Sequence, residues 1–268
     1  MSILGIFPFG EDVRRVEQSD RMPKRVFVLG VYASAVHAKW ISARGKEKVR
    51  ALAVASEPRI FWCGDGSDEL IASIRVPPRL GQLEPAEPRF NGPSGCALDS
   101  LILEPLGLSR DDAWLSDLVP HSCANPAQLD AIRREYLPHV EDFSLPYPTV
   151  PTVPRSLADD QRRKELQQEI REARADVVIT LGDEPIRWFL GPLTGKNRRL
   201  ADFGDTDAIY GRIQWTQLDG RRMAVIPLAH PRQVASLGRS SKKWLQLHDQ
   251  WRRSVAPLLF KGLENRES

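Results

Sequence analysis

Cysteine is scarce in this chain, and long apolar segments are absent from it. The three cysteines, Cys63, Cys96 and Cys123, are far apart and form no Cys-x-x-Cys pair. An odd number of isolated cysteines argues against a disulfide framework and predicts a reduced, cytoplasmic protein. No stretch is apolar enough to span a bilayer, and the first ten residues lack the basic and apolar segments of a signal peptide. We therefore expect no membrane association.

The chain also lacks a strong net charge. Its 38 Lys and Arg against 35 Asp and Glu give +3, which by itself does not indicate nucleic acid. The charges are unevenly distributed, because residues 187–243 contain eleven basic and four acidic side chains. A basic half of this kind suits a surface that faces phosphate, but taken alone it is more often an ordinary solvated face.

Short apolar runs alternate with helical patterns along the chain. Residues 25–30 predict a buried parallel strand that ends at Gly30, residues 49–56 a second strand, and the Pro- and Glu-rich residues 76–90 a loop. The remaining pattern predicts helices over 94–107, 126–140, 159–175, 184–190 and 240–259, strands over 114–119 and 176–182, and a hairpin that turns at 218–220. This order predicts an α/β fold with a central, mainly parallel sheet between two layers of helices.

The length and composition predict a single domain over residues 1–268. At 41% hydrophobic residues the chain can bury one large core. Residues 1–24 precede the first predicted strand and form an N-terminal extension. The proline-rich segment 145–154 must be extended. We interpret it as a crossover loop, because the strands on both sides of it are expected to belong to one sheet.

Two segments carry the most specific pattern in the sequence. In the first, Phe90 enters a Gly-Pro-x-Gly turn, a helix follows, and the next strand ends in the carboxylate of Asp117. In the second, a strand ends in His230-Pro231. Ligands of open α/β sheets bind beyond the carboxyl ends of the strands. This order and spacing resemble the uracil-DNA glycosylase superfamily, especially its thermostable, iron–sulphur branch. The resemblance covers roughly residues 25–255 and implies the three-layer αβα fold of that superfamily.

The resemblance implies a role for each of these residues. His230 would donate a hydrogen bond to the departing base, on which negative charge develops during cleavage. Phe90 would stack on the base, and Gly30 and Tyr32 would line the same pocket. Asp117 occupies the position of the family's base-reading Asn, and it would read the base or hold the attacking water.

The resemblance also implies that the partner is DNA. Val234 falls at the position of the wedge residue that fills the gap left by a flipped base, with Pro231 and Arg232 in the same loop. Lys242 and Lys243 lie at the start of the following helix, where they would contact a DNA phosphate.

The chain departs from the family pattern in two places. Three dispersed cysteines cannot ligate an iron–sulphur cluster, so we expect no metal and no cofactor. After Gly30 the active families carry an Asp, Glu or Asn that activates water, but this chain has Val31 and Tyr32 there. The candidate replacements are Ser34, His37 and Asp117.

The leading hypothesis is a DNA-repair enzyme that flips a modified base and hydrolyses its N-glycosidic bond. The alternative is a catalytically inactive member of the fold that binds DNA or a free base or nucleotide, which the missing carboxylate supports. An ionised Asp117 only accepts hydrogen bonds, whereas Asn also donates. Asp117 is therefore protonated in an apolar pocket, or the base is not uracil but one with an exocyclic amino donor, or its role has changed.

Overall fold

A computed structural model describes residues 3–195, 199–237 and 241–264, with the backbone alone for residues 261–264. These residues form two compact units. The antiparallel unit is drawn from Met1–Val16, Tyr32–Pro93 and Pro120–Arg155, and the parallel unit from Glu17–Val31, Ser94–Val119 and Ser156–Ser268. The single domain over residues 1–268 stays a prediction.

The strands of the described residues fall into three sheets. In chain order they are β1 (Gly5–Ile6), β2 (Asp12–Val13), β3 (Val26–Tyr32), β4 (Ala35–Ile41), β5 (Glu47–Ser56), β6 (Gln82–Pro85), β7 (Ala113–Val119), β8 (Val177–Leu181), β9 (Gln214–Leu218) and β10 (Arg221–Leu228). The sheets are the pair β1-β2, the three-stranded β5-β4-β6 and the five-stranded β7-β3-β8-β10-β9.

Helices and helical turns lie between these strands and after the last of them. The α-helices are α1 (Ser67–Ala72), α2 (Pro93–Leu98), α3 (Pro126–Ala131), α4 (Asp160–Ala173), α5 (Asp183–Pro185), α6 (Gly191–Thr194), α7 (Pro231–Val234), α8 (Lys242–Ser254) and α9 (Ala256–Glu264). Several of them continue as π or 3-10 turns. α2 extends in this way to Leu106, α3 to His139 and α5 to Leu190.

The five-stranded sheet is the centre of the parallel unit. β8 pairs in parallel with both β3 and β10, and β9 is antiparallel to its neighbour β10. Every residue of β7 and β8 is buried, as expected of strands covered on both faces by helices. The prediction of an α/β fold with a central, mainly parallel sheet flanked by helices is confirmed.

Local turn and cap signals in the sequence are matched by the structure. The hairpin between β9 and β10 turns at Asp219 and Gly220, both with positive φ (54° and 74°), as a two-residue turn requires. Gly107, at φ +72°, ends the helical segment that starts at Pro93, close to the predicted 94–107. α8 begins at Lys242, and Ser240, the predicted start of the last helix, lies outside the described residues.

The strands of the antiparallel unit differ from those that the sequence predicted. β5 belongs to the sheet of this unit and not to the central sheet, and residues 76–90 are not all loop because β6 lies within them. Nor does a loop follow Gly30, since β3 continues to Tyr32 and β4 begins at Ala35. The alternation of buried Val36, Ala38 and Trp40 with half-exposed neighbours is the period-two signal of β4.

The predicted N-terminal extension, residues 1–24, contributes core side chains to the antiparallel unit. Phe7 and Val13 are fully buried and pack with Ala35 and Ala53. The proline-rich segment 145–154 is extended alongside it, with Thr149 N–H donating to the Ile6 carbonyl over 2.8 Å. The strands before and after this segment, β7 and β8, do belong to one sheet, as expected.

Candidate functional site

His230 follows β10 and caps the short helix α7. Its backbone is extended (φ −61°, ψ 141°), and its Nδ1 accepts a hydrogen bond from Arg232 N–H over 3.2 Å. Its own N–H donates to Gln233 Oε1 over 3.3 Å, which completes a capping box. Because Nδ1 acts as the acceptor, a neutral His230 carries its ring proton on Nε2.

The surroundings of His230 keep its ring neutral. Burial, reinforced by the nearby Arg232 charge, lowers the pKa of His230 to about 4. Gly182, the residue directly after β8, lies beside it at φ +88°, and a Cβ on Gly182 would lie 3.2 Å from the His230 Cβ. His230 therefore presents one N–H donor without a positive charge at pH 7.

Asp117 is buried within β7, the strand next to β3. Its carboxylate accepts a hydrogen bond from Val31 N–H, and its side chain has almost no contact with solvent. Burial raises the pKa of Asp117 to about 7, with Glu169 raising it further, while the Arg162 charge and the Val31 hydrogen bond lower it. This carboxyl therefore gains and loses its proton near neutral pH.

Arg162 of α4 holds β7 at Asp117, and sequence reasoning missed it. Its Nη2 donates to the Asp117 carbonyl over 2.7 Å and to Ser116 Oγ over 3.0 Å, and its Nε donates to the Leu118 carbonyl over 3.1 Å. Its Nη1 forms an ion pair with Glu169 at 2.8 Å. The available signal was spacing, because Arg162 falls on the same α4 face as the buried Leu166 and Ile170.

Phe90 lies in the antiparallel unit, at the end of the 3-10 turn Pro88–Phe90. Its ring is half-buried, with the Arg89 guanidinium 4.9 Å from the ring centroid. The next residue, Asn91, is buried and bonds both backbone groups of His37. Asn91 Oδ1 accepts from His37 N–H over 2.8 Å, and Asn91 Nδ2 donates to the His37 carbonyl over 2.9 Å. Asn91 thus fastens the Phe90 turn to β4.

Gly92 is required by the protein backbone itself. Its φ is +71°, and a Cβ would lie 2.2 Å from the carbonyl carbon of Cys63 and 2.3 Å from the Gly64 nitrogen. A glycine at this place in the motif suggests close approach to a base or phosphate, but here the close neighbour is Cys63–Gly64. Gly92 therefore supports the shape of the Phe90 turn.

The segment after β3 contacts a residue that the sequence did not single out. Gly30 is buried inside β3, and Tyr32, 46% exposed, is its last residue. Ser34 N–H donates to Oε1 of Glu57 over 3.0 Å, and Glu57 is itself buried. Sequence reasoning missed Glu57, although an acidic residue before Pro58 directly after a strand was a readable signal. A buried carboxylate is therefore bonded to the segment that follows β3.

The proposed DNA-contacting residues differ in exposure. Arg232 and Lys242 are exposed, and Lys243 forms an ion pair with Asp205. Pro231 and Val234 are buried in α7, with Val234 only 4% exposed. A wedge must be exposed to enter DNA, whereas Val234 is buried here, and its role as the wedge stays a prediction.

Three further features concern the cysteines, the groups that could bind a metal, and the helices. Cys63, Cys96 and Cys123 form no disulfide with one another. Within the part of the chain that the structure describes, no group of three or more His, Cys, Asp or Glu side chains could hold a metal ion. No helix among these residues is long and apolar enough to cross a membrane.

A mainly parallel sheet with a His-Pro turn after one strand and a buried acid within another defines an α/β protein with polar groups along its central sheet. The family model of the uracil DNA glycosylase superfamily matches residues 87–249, more than half of the chain. The chain therefore belongs to that superfamily, which supports a glycosylase-like function in DNA repair. The match includes Phe90, Asp117 and His230 and leaves out Gly30 and Tyr32. No curated protein matches the chain.

Proposed function

We propose that the protein is a DNA glycosylase that flips a modified base and hydrolyses its N-glycosidic bond. The observation that carries the proposal is the state of His230, a neutral ring whose Nδ1 is occupied by Arg232 N–H. Cleavage leaves negative charge on the departing base, and a neutral Nε2–H aimed at a base carbonyl stabilises that charge. Loss of one such donor costs about 2.7–4 kcal/mol where it has been measured.

The two protonation states of Asp117 would each recognise a different kind of base. The neutral carboxyl offers one donor and one acceptor, the same pattern as the Asn of the family, and so complements O4 and N3–H of uracil. The ionised carboxylate only accepts, and complements a base with an exocyclic amino donor. A pKa of about 7 makes both states accessible near neutral pH. Phe90 would stack on the base, a contact of about 1–3 kcal/mol.

Asp117 is also the best-supported candidate for holding the attacking water. Residues 31–34 are Val-Tyr-Ala-Ser and contain no acid. A general base is most effective when its pKa lies near the working pH, as that of Asp117 does. Exposed Arg232 and Lys242 would contact the DNA backbone.

The second candidate function is a non-catalytic binder of DNA or of a free base. The absence of an acid from residues 31–34 favours it, because the active families carry their water activator there. A binder would keep the stacking and hydrogen-bonding roles of Phe90 and His230 without turnover.

A single-turnover assay decides between the two functions. Excess protein is incubated with oligonucleotides that carry uracil, hypoxanthine, xanthine or a hydroxymethylated base, each single- and double-stranded. We expect abasic sites from at least one substrate, and a rate about 10²–10³ lower for His230→Ala. His139→Ala, which removes a histidine that contacts Lys48 in the antiparallel unit, is the matched control and should keep the rate. DNA binding without cleavage across the whole panel would establish the binder.

A further inference from the structure

We propose that Tyr210 and His248 form a positioning pair that holds the imidazole of His230 in place through the peptide of Ala229. This inference rests on the proposed role of His230 and adds two residues to it. Neither Tyr210 nor His248 touches the base in this proposal, because both act through the backbone that carries His230.

The pair forms a hydrogen-bond chain with a single possible direction. His248 Nε2 lies 2.8 Å from the Leu101 carbonyl, which can only accept, so Nε2 carries the proton. His248 Nδ1 is then an acceptor, and Tyr210 O–H donates to it over 2.9 Å. The Tyr210 oxygen in turn accepts from Ala229 N–H over 3.0 Å. Each of the three donors in the chain, Ala229 N–H, Tyr210 O–H and His248 Nε2–H, therefore has one acceptor.

Burial keeps this direction unchanged around neutral pH. Tyr210 and His248 are each 2% exposed, and Ala229 is fully buried. Burial lowers the pKa of His248 to about 4 and raises the pKa of Tyr210 above its ordinary value. Both side chains are therefore neutral at pH 7, and the tautomer of His248 is set by the Leu101 carbonyl.

The pair acts at the point where the sheet stops supporting the chain. Directly after β8, Gly182 N–H donates to the carbonyl of Leu228, the last residue of β10, over 2.7 Å. Ala229 is the next residue, and its N–H is held by Tyr210 instead of by a strand. Since His230 follows directly, the position of the Ala229 peptide determines the position of the His230 side chain.

The position of His248 connects this support to the surface. His248 lies on α8, whose first residue is Lys242, and the Leu101 carbonyl lies in the helical segment that continues α2. Contact of Lys242 with a DNA phosphate and placement of His230 would therefore depend on the same helix.

Tyr210→Phe tests the pair, with Tyr136→Phe as the matched control. Tyr136 is also fully buried, and its oxygen also accepts a backbone N–H, from Phe9, and donates to a carbonyl, that of Pro146, each at 3.0 Å. Both variants lose the same kind of hydroxyl, so we expect similar decreases in melting temperature. At a temperature where both are folded, only Tyr210→Phe should slow single-turnover cleavage, by about 10- to 100-fold. Its Kd for DNA should be unchanged.

Two further measurements separate positioning from a general loss of structure. His248→Gln retains an acceptor for Tyr210 and a donor for Leu101, so it should recover most of the rate that His248→Phe loses. Imidazole ¹⁵N shifts should report a single Nε2–H tautomer for His230 in the wild type. They should report a mixture in Tyr210→Phe, because the displaced His230 ring then loses alignment with the Arg232 N–H that bonds its Nδ1.

Equal cleavage rates in Tyr210→Phe and Tyr136→Phe, with the His230 tautomer unchanged in both, would overturn the pair. If the wild type cleaves no substrate, the proposed glycosylase fails. The ¹⁵N spectra then decide the positioning pair alone, because they need no turnover.

Discussion

Replacing Asp117 with Asn removes the carboxyl that exchanges a proton, and so measures how much its protonation contributes to the free energy of unfolding. Burial raises the pKa of Asp117 from its ordinary 3.8 to about 7. Because the pKa of Asp117 is higher in the folded protein than in the unfolded chain, the folded protein binds this proton more tightly. The stabilisation from this proton is complete below the unfolded pKa and is lost as the pH rises through the folded pKa. At about 1.36 kcal/mol per pH unit, the wild type loses on the order of 4 kcal/mol between about pH 4 and pH 7.

Asn does not titrate, so Asp117→Asn should not show this loss. We expect the unfolding free energy of the variant, relative to wild type, to rise by roughly 4 kcal/mol from about pH 4 to pH 7 and to stay level above that. Urea unfolding at a series of pH values, followed by circular dichroism, measures the difference. Asp68→Asn is the control, because Asp68 is exposed in α1. A difference that does not change with pH would refute the argument that Asp117 holds a proton through burial.

The same variant separates the two proposed roles of Asp117 by the sign of a pH profile. If the neutral carboxyl reads uracil, wild-type cleavage falls as the pH rises through about 7, and Asp117→Asn cleaves uracil with no such fall. If the carboxylate is the general base, wild-type cleavage rises through the same pH, and Asp117→Asn loses about 10²–10⁴ in rate. A wild-type profile without a step near pH 7, together with a fully active variant, would exclude both roles.

Two further substitutions test the supports of the site. Arg162→Met leaves Glu169 and the β7 carbonyls without their partner, so we expect a loss of about 3–5 kcal/mol in urea unfolding. Because the Arg162 charge lowers the pKa of Asp117, the step in the wild-type pH profile should also move upward, and an unmoved step would contradict this. Gly92→Ala places a Cβ against the Cys63 backbone at φ +71°, and should cost more than about 1 kcal/mol, read as a lower melting temperature. An unchanged melting temperature would show that the Phe90 turn does not depend on this close packing.

The sequence by itself was sufficient for several features whose signal is local. The apolar run 177–181 is a strand because both of its faces are covered, and Leu218-Asp219-Gly220 turns because this turn needs positive φ at two adjacent residues. His230 precedes Pro231, whose ring suits the first position of a helix, so the strand-to-helix turn could also be read from adjacent residues. These features need only the neighbouring few residues to form.

Only the tertiary structure decided the protonation of Asp117 and the supports of His230. Arg162 is 45 residues from the Asp117 carbonyl that it bonds, and His248 is 147 residues from the Leu101 carbonyl. No period of apolar residues encodes contacts at such distances. A pKa depends on which charges and how much solvent surround a group after folding, and a tautomer depends on which partner it meets. The sequence therefore determines which groups are present, and the packing of the parallel unit determines what they can do.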